Sequence, residues 1–165
     1  MSGSDGSIIA WNSPGTQIDH NSILLNGNEY YAIEFRFPTS TNGAARNNLA
    51  DAPIHLRDGA AATLGSNLLT AVPGMFVNPA GGDLHLLASA TSAIDQGLTL
   101  STVTNDFDGD RRPMGDRSDI GADEFTAGNS GRMEPPAAKA ASDDPAMRPT
   151  DYQPSGDYYD WRKTR

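Results

Sequence analysis

The sequence contains no cysteine, which removes disulfide frameworks, thiolate metal sites and cysteine-nucleophile chemistry from consideration. It also lacks any stretch near the roughly 20 consecutive apolar residues that a membrane-spanning helix needs. Positive charge is scarce in its larger part. Residues 1–125 carry 15 acidic side chains against 6 arginines, whereas residues 126–165 carry 6 acids and 6 bases, so the whole net charge of −9 belongs to the first part. Such a body repels phosphate backbones and argues against a nucleic-acid partner. Divalent-cation binding and simple solubility are both compatible with it. There is no G-x-S-x-G elbow, no phosphate-binding loop and no His-Glu-x-x-His helix, so the common hydrolase, nucleotide-binding and metalloprotease classes find no support. The opening residues Met1–Ser7 lack the basic and apolar regions of a signal peptide. If the parent protein is exported, the expectation is that this chain is a fragment or a mature form.

What is present is short and periodic. Gly, Asn, Pro, Ser and Thr recur every few residues and leave brief apolar runs between them. Ile33-Glu34-Phe35-Arg36-Phe37, Ile54-His55-Leu56-Arg57 and Leu84-His85-Leu86 alternate apolar with polar, the period of a strand with two different faces. The runs also repeat along the chain. The frame apolar-x-x-Asn-x-apolar occurs at Ile18…Asn21…Ile23 and Leu64…Asn67…Leu69, with a weaker copy from Ala44 through Asn47 to Leu49. Separately, Glu34 and Arg36 reappear as His55 and Arg57 after one common displacement of 21 residues. Two unrelated features sharing a period near 20 predict stacked coils, each too short to bury its inner face alone. Asn21, Asn47 and Asn67 are the expected members of an asparagine ladder between coils.

After Phe125 the composition shifts to Ala, Pro, Gly, Ser, Asp and Met without periodicity, predicting a flexible tail over 126–165. Tyr152, Tyr158, Tyr159 and Trp161 bring aromatics back near its end.

One region carries a more specific pattern. Asp83-Leu84-His85-Leu86-Leu87 is followed by Ser92-Ala93-Ile94-Asp95-Gln96-Gly97. Then come Asp106-Phe107-Asp108-Gly109-Asp110-Arg111-Arg112-Pro113 and Asp119-Ile120-Gly121-Ala122-Asp123-Glu124-Phe125. This order of blocks resembles the C-terminal end of bacterial right-handed parallel β-helix proteins of the pectate-lyase-like class, the choice-of-anchor Q domain type. Ala32–Pro38, Asn47-Asn48-Leu49 and Arg57–Ala60 are similar to the last coils of that class. The resemblance implies an all-β solenoid over residues 8–125, with 83–125 as its closing motif and 1–7 as a leader or the start of a fragment. It further implies secretion or display at the cell surface, and a structural or carbohydrate-contacting role. The coils present are too few for a complete β-helix.

Three functional expectations follow. The first is a non-catalytic terminal module that contacts polysaccharide. The second is an enzyme fragment, a lyase or epimerase acting on acidic glycans. In that reading Glu34, Arg36, His55 and Arg57 form the constellation, His55 serves as base and Arg36 or Arg57 holds a uronate carboxylate, with His85 continuing the substrate-binding row. The third is self-association through the open end near Ile8 and Ile9. Asp106, Asp108 and Asp110 have the alternating spacing of a calcium loop, but no glutamate stands at the twelfth position of an EF-hand. The alternative is a turn whose carboxylates pair with Arg111, Arg112 and Arg117. Asp95 and Asp119 read as turn or capping residues. On the row itself, the alternative to catalysis is a solvated sheet face on which Glu34 pairs with Arg57 or His55.

Overall fold

Short alternating runs between turn residues become short strands. A computed structural model describes residues 6–127 of the chain. The first pass contributes β1 (Gly6–Trp11), β2 (Gln17–Asp19) and β3 (Ser22–Ile23); the second, β4 (Tyr31–Arg36), β5 (Gly43–Arg46) and β6 (Leu49–Ala50). A third pass supplies β7 (Ile54–Arg57) and β8 (Ala62–Gly65), and β9 (Phe76–Asn78) and β10 (Asp83–Leu86) follow. Two single turns of 3-10 helix flank β9, and no helix of the described residues is long and apolar enough to cross a membrane. The protein is all-β.

The first eight strands form parallel sheets, ordered β1-β4-β7, β2-β5-β8 and β3-β6, the last extended by a parallel bridge from Leu49 to Leu68. Glu34 faces Ile9 on one side and His55 on the other, and Arg36 lies between Trp11 and Arg57. The register read from the 21-residue displacement is therefore the observed one. Ile8, Ala10, Ile33, Phe35, Ile54 and Leu56 point inward and meet Ile18, Ile23, Ala45 and Ala50 from the other sheets in one apolar core. Truncating a fully buried Phe35 or Ile33 in such a core costs about 2–5 kcal/mol. Gly43 has no alternative, because a Cβ there would sit 2.9 Å from the Phe35 ring and 3.0 Å from the Thr16 carbonyl oxygen.

Corners repeat as faithfully as strands. Left-handed backbone recurs at Asn12, Phe37 and Asp58 after the first sheet, and at His20, Asn47 and Ser66 after the second. Each residue after the second corner is a ladder asparagine. Asn21 Nδ2 donates to Asn48 Oδ1 and Asn48 Nδ2 to Asn67 Oδ1, both at 2.8 Å. The rungs are thus Asn21, Asn48 and Asn67, which corrects the expected middle member Asn47. The second pass carries two extra residues at its first corner, Phe37–Gly43 against Asn12–Thr16. Ile18 pairs with Ala45 and not with Ala44, so the frame falls one residue later, on Asn48, and Asn47 stands at the left-handed corner.

β10 pairs antiparallel with β9 and belongs to none of the parallel sheets, so His85 does not continue the row of Glu34 and His55. The segment that follows has no strands of its own. It runs along the flank of the three passes. Its Ala122 amide donates to Ser22 Oγ, its Gly121 amide donates to the Asn47 carbonyl, and its Leu98 side chain lies against Gly65. Leu49, Phe76, Leu86, Ala93 and Ile120 close a second apolar cluster beneath it. β1 begins at Gly6, two residues before the expected start. The predicted tail, including Tyr152, Tyr158, Tyr159 and Trp161, lies outside the described residues but for Thr126 and Ala127.

Candidate functional site

On β1-β4-β7 the residues between the inward ones face outward: Ile9 and Trp11, Glu34 and Arg36, His55 and Arg57. Glu34 stands on the central strand, and its neighbours cover it so fully that it is 0% exposed. Trp11 Nε1–H donates to its Oε1 at 2.6 Å, and Arg57 Nη1 donates to Oε2 at 3.1 Å. A buried carboxylate is tolerated only with such partners, since an unpaired one carries a penalty of several kcal/mol. His55 Nδ1 faces the same Oε2 from 3.9 Å, is itself buried and makes no hydrogen bond, while its ring stacks on Tyr31 at 4.2 Å. The expected solvated face is therefore corrected in one respect. Glu34 pairs with Arg57 as anticipated, but under cover.

Further along the row Arg36 forms an ion pair with Asp58. Its guanidinium carbon lies 5.2 Å from the Trp11 ring centre and 4.7 Å from that of Phe37, cation–π contacts worth about 0.5–1 kcal/mol each at a surface. The Trp11 and Phe37 rings meet edge to face at 6.0 Å. Trp11 nevertheless remains 43% exposed. Two carboxylates, Glu34 and Asp58, thus neutralise two guanidiniums, Arg36 and Arg57. The sequence reading found Glu34, Arg36, His55 and Arg57 and missed Trp11, Tyr31 and Phe37. The available signal was the repeat of the row one pass earlier, which sets Trp11 beside Arg36.

A second constellation sits where β10 meets the flank segment. His85 Nδ1 lies 2.6 Å from Asp83 Oδ1, and His85 Nε2 lies 2.6 Å from Asp108 Oδ2. Burial opposes the imidazolium here, but the hydrogen bonds to Asp83 and Asp108 outweigh it and raise its pKa to about 9. Asp123 accepts the Leu86 amide at 2.7 Å, and burial pushes its pKa up to about 6. The ligand atoms of His85, Asp108 and Asp123 lie within 4.8 Å of one another, the one such group among the described residues.

In the run read as a calcium loop, Asp106, Asp108 and Asp110, the first two carboxylates have separate partners. Asp106 Oδ1 accepts the amides of Asp108 and Asp110, and its Oδ2 accepts the amide of Glu124. Asp108 turns away to His85. Within the run, Asp106 fastens the turn through its carboxylate.

The expected arginine pairing is also redistributed. Arg112, not the Asp run, makes the buried ion pair, to Glu124 at 2.8 Å, and it donates further to the carbonyls of Asp119, Gly121 and Ala122. Burial raises the pKa of Glu124 and of Asp119. Asp119 accepts the amides of Asp95 and Phe125, and Asp95, at a left-handed corner, accepts the Arg117 amide. Both act as the turn residues the sequence suggested.

No family model, no curated protein and no solved structure matches this chain.

Proposed function

We propose that this chain is the terminal module of an exported right-handed parallel β-helix protein of the choice-of-anchor Q type, and that it contacts carbohydrate without catalysing a reaction. Three parallel sheets with repeated register, matched left-handed corners and an asparagine ladder support the solenoid reading. The observation that carries the binding role is the Trp11 ring. It is half-open to solvent, fixed in plane by its bond to buried Glu34 and flanked by Arg36 and Phe37. A rigid aromatic platform stacks on the apolar face of a sugar ring at little ordering cost. Because Arg36 and Arg57 are already neutralised, the ledge favours neutral over uronate-rich glycans.

The test is titration of the full chain with panels of neutral and acidic oligosaccharides, followed by calorimetry and by quenching of tryptophan emission. The expected result is binding to neutral sugars that Trp11→Ala weakens about tenfold or more, a stacking contribution of at least about 1.4 kcal/mol. No binding across both panels at millimolar ligand contradicts the proposal.

A second reading, a lyase, draws on one observation: His55 Nδ1 faces Glu34 as a base faces its orienting carboxylate. Its arginines are engaged and Glu34 is sealed, which weighs against it. Release of unsaturated uronate from pectate or alginate by wild type but not by His55→Gln would establish it in place of the first.

A further inference from the structure

We propose that His85, Asp108 and Asp123 bind one divalent transition-metal ion of the zinc type. The three side chains come from β10, from the Asp106–Asp110 turn and from the stretch after Asp119, yet their ligand atoms converge within 4.8 Å. Behind the histidine stands Asp83, 6% exposed, whose Oδ1 takes both the backbone amide of His85 at 3.1 Å and its Nδ1–H at 2.6 Å. That bond assigns the Nδ1 hydrogen and directs Nε2 at Asp108. A carboxylate behind the imidazole is how proteins orient a histidine ligand and raise its basicity. Asp123 is held in turn by the Leu86 amide.

Nε2 and Asp108 Oδ2 are 2.6 Å apart, too close for two bare lone pairs, so a positive species lies on that line. In the metal-free protein it is a proton. A metal ion takes its place and releases that proton to solvent. Tetrahedral zinc with bonds of about 2.0–2.1 Å sets its donor atoms about 3.3 Å apart, so Asp108 must retreat by about 0.7 Å. It can do so locally, because its side chain is 26% exposed on a turn. The imidazole donor selects the metal. Calcium takes six to eight hard oxygens, whereas one nitrogen and two carboxylate oxygens suit zinc, manganese or cobalt, with water completing the shell. The two carboxylates also balance the dication. Bound there, the ion ties the flank segment to β10 at a point otherwise held by hydrogen bonds.

The experiment titrates Zn²⁺ alone into the chelator-treated full chain by calorimetry, with Co²⁺ as a spectroscopic substitute. The expected outcome is one ion per chain, a rise in melting temperature and the visible absorption of tetrahedral cobalt. Asp108→Asn and His85→Gln should each weaken binding about tenfold or more, and a hundredfold excess of Ca²⁺ should not displace zinc. Asp108 is exposed, so its variant keeps the fold and decides the matter even if His85→Gln does not fold. Absence of zinc binding, zinc binding unchanged in Asp108→Asn, or displacement by calcium overturns the proposal.

Discussion

The side-chain amide of Asn47 clasps the backbone of Leu98 at both ends. The Leu98 amide donates to Oδ1 and Nδ2 donates to the Leu98 carbonyl, each at 2.7 Å, across 51 residues of chain. Asn47 is fully buried. Asn47→Ala removes both bonds to Leu98 and the buried one from Nδ2 to His20 Nε2, and it places alanine at a φ of +55°, so the expected loss is about 2–4 kcal/mol. Urea unfolding followed by circular dichroism measures it. A loss below about 1 kcal/mol would mean that the flank segment is held elsewhere.

Arg112 and Glu124 form the most enclosed ion pair among the described residues, with each side chain 1% exposed. Removing one partner strands a buried charge, so Arg112→Met or Glu124→Leu should each cost about 3–5 kcal/mol. The double variant should cost clearly less than the two combined, since neither charge is then abandoned. A double-mutant cycle in urea reads this coupling, and strict additivity contradicts it.

Glu34 joins Trp11 to Arg57. Glu34→Gln keeps an acceptor for the Trp11 indole but loses the charge pair, an expected cost of about 1–3 kcal/mol. Glu34→Ala frees both partners, and tryptophan emission should then shift and broaden as the ring loses its anchor. Emission identical to wild type in Glu34→Ala would show that Trp11 is held by its neighbours alone.

His20 supplies a pH test. Its Nε2 accepts from Asn47 Nδ2, and its Nδ1 is buried. Burial and the nearby Arg112 charge, opposed by Asp19, lower its pKa from 6.5 to about 4. The folded state then binds fewer protons than the unfolded state between those values. The stability from neutral His20 is complete above pH 6.5 and is lost as pH falls toward 4. Asp123, raised from 3.8 to about 6, has the opposite sign over nearly the same window, and Asp119 and Glu124, also raised by burial, act in the same direction as Asp123. His20→Gln removes the His20 slope alone, so the variant gains on wild type as pH falls from 6.5 to 4. Parallel melting-temperature profiles for the two proteins would refute this.

Much of the strand framework was legible before any coordinates. Ile33–Phe37 and Ile54–Arg57 each alternate strictly, and a shared displacement placed Glu34 beside His55 and Arg36 beside Arg57. The ladder was legible except for one rung. The apolar-x-x-Asn-x-apolar frame taken from Ala44 gives Asn47, but Ile18 pairs with Ala45, and the same frame taken from Ala45 ends on the true rung, Asn48. Trp11 was legible only by carrying the row one pass earlier, whereas Tyr31 and Phe37 join it through ring contacts that depend on the fold.

Sequence by itself determined the all-β class, the parallel register of the second and third passes and the turn roles of Asp95 and Asp119. Those depend on local alternation and on turn chemistry within a few residues. Tertiary structure alone decided that Glu34 is sealed, that the Asp108 carboxylate meets His85, and that Arg112 is paired with Glu124. Each is a choice among many carboxylates of equal local chemistry. Proximity and burial resolve it, and both are set only when distant passes of the chain meet.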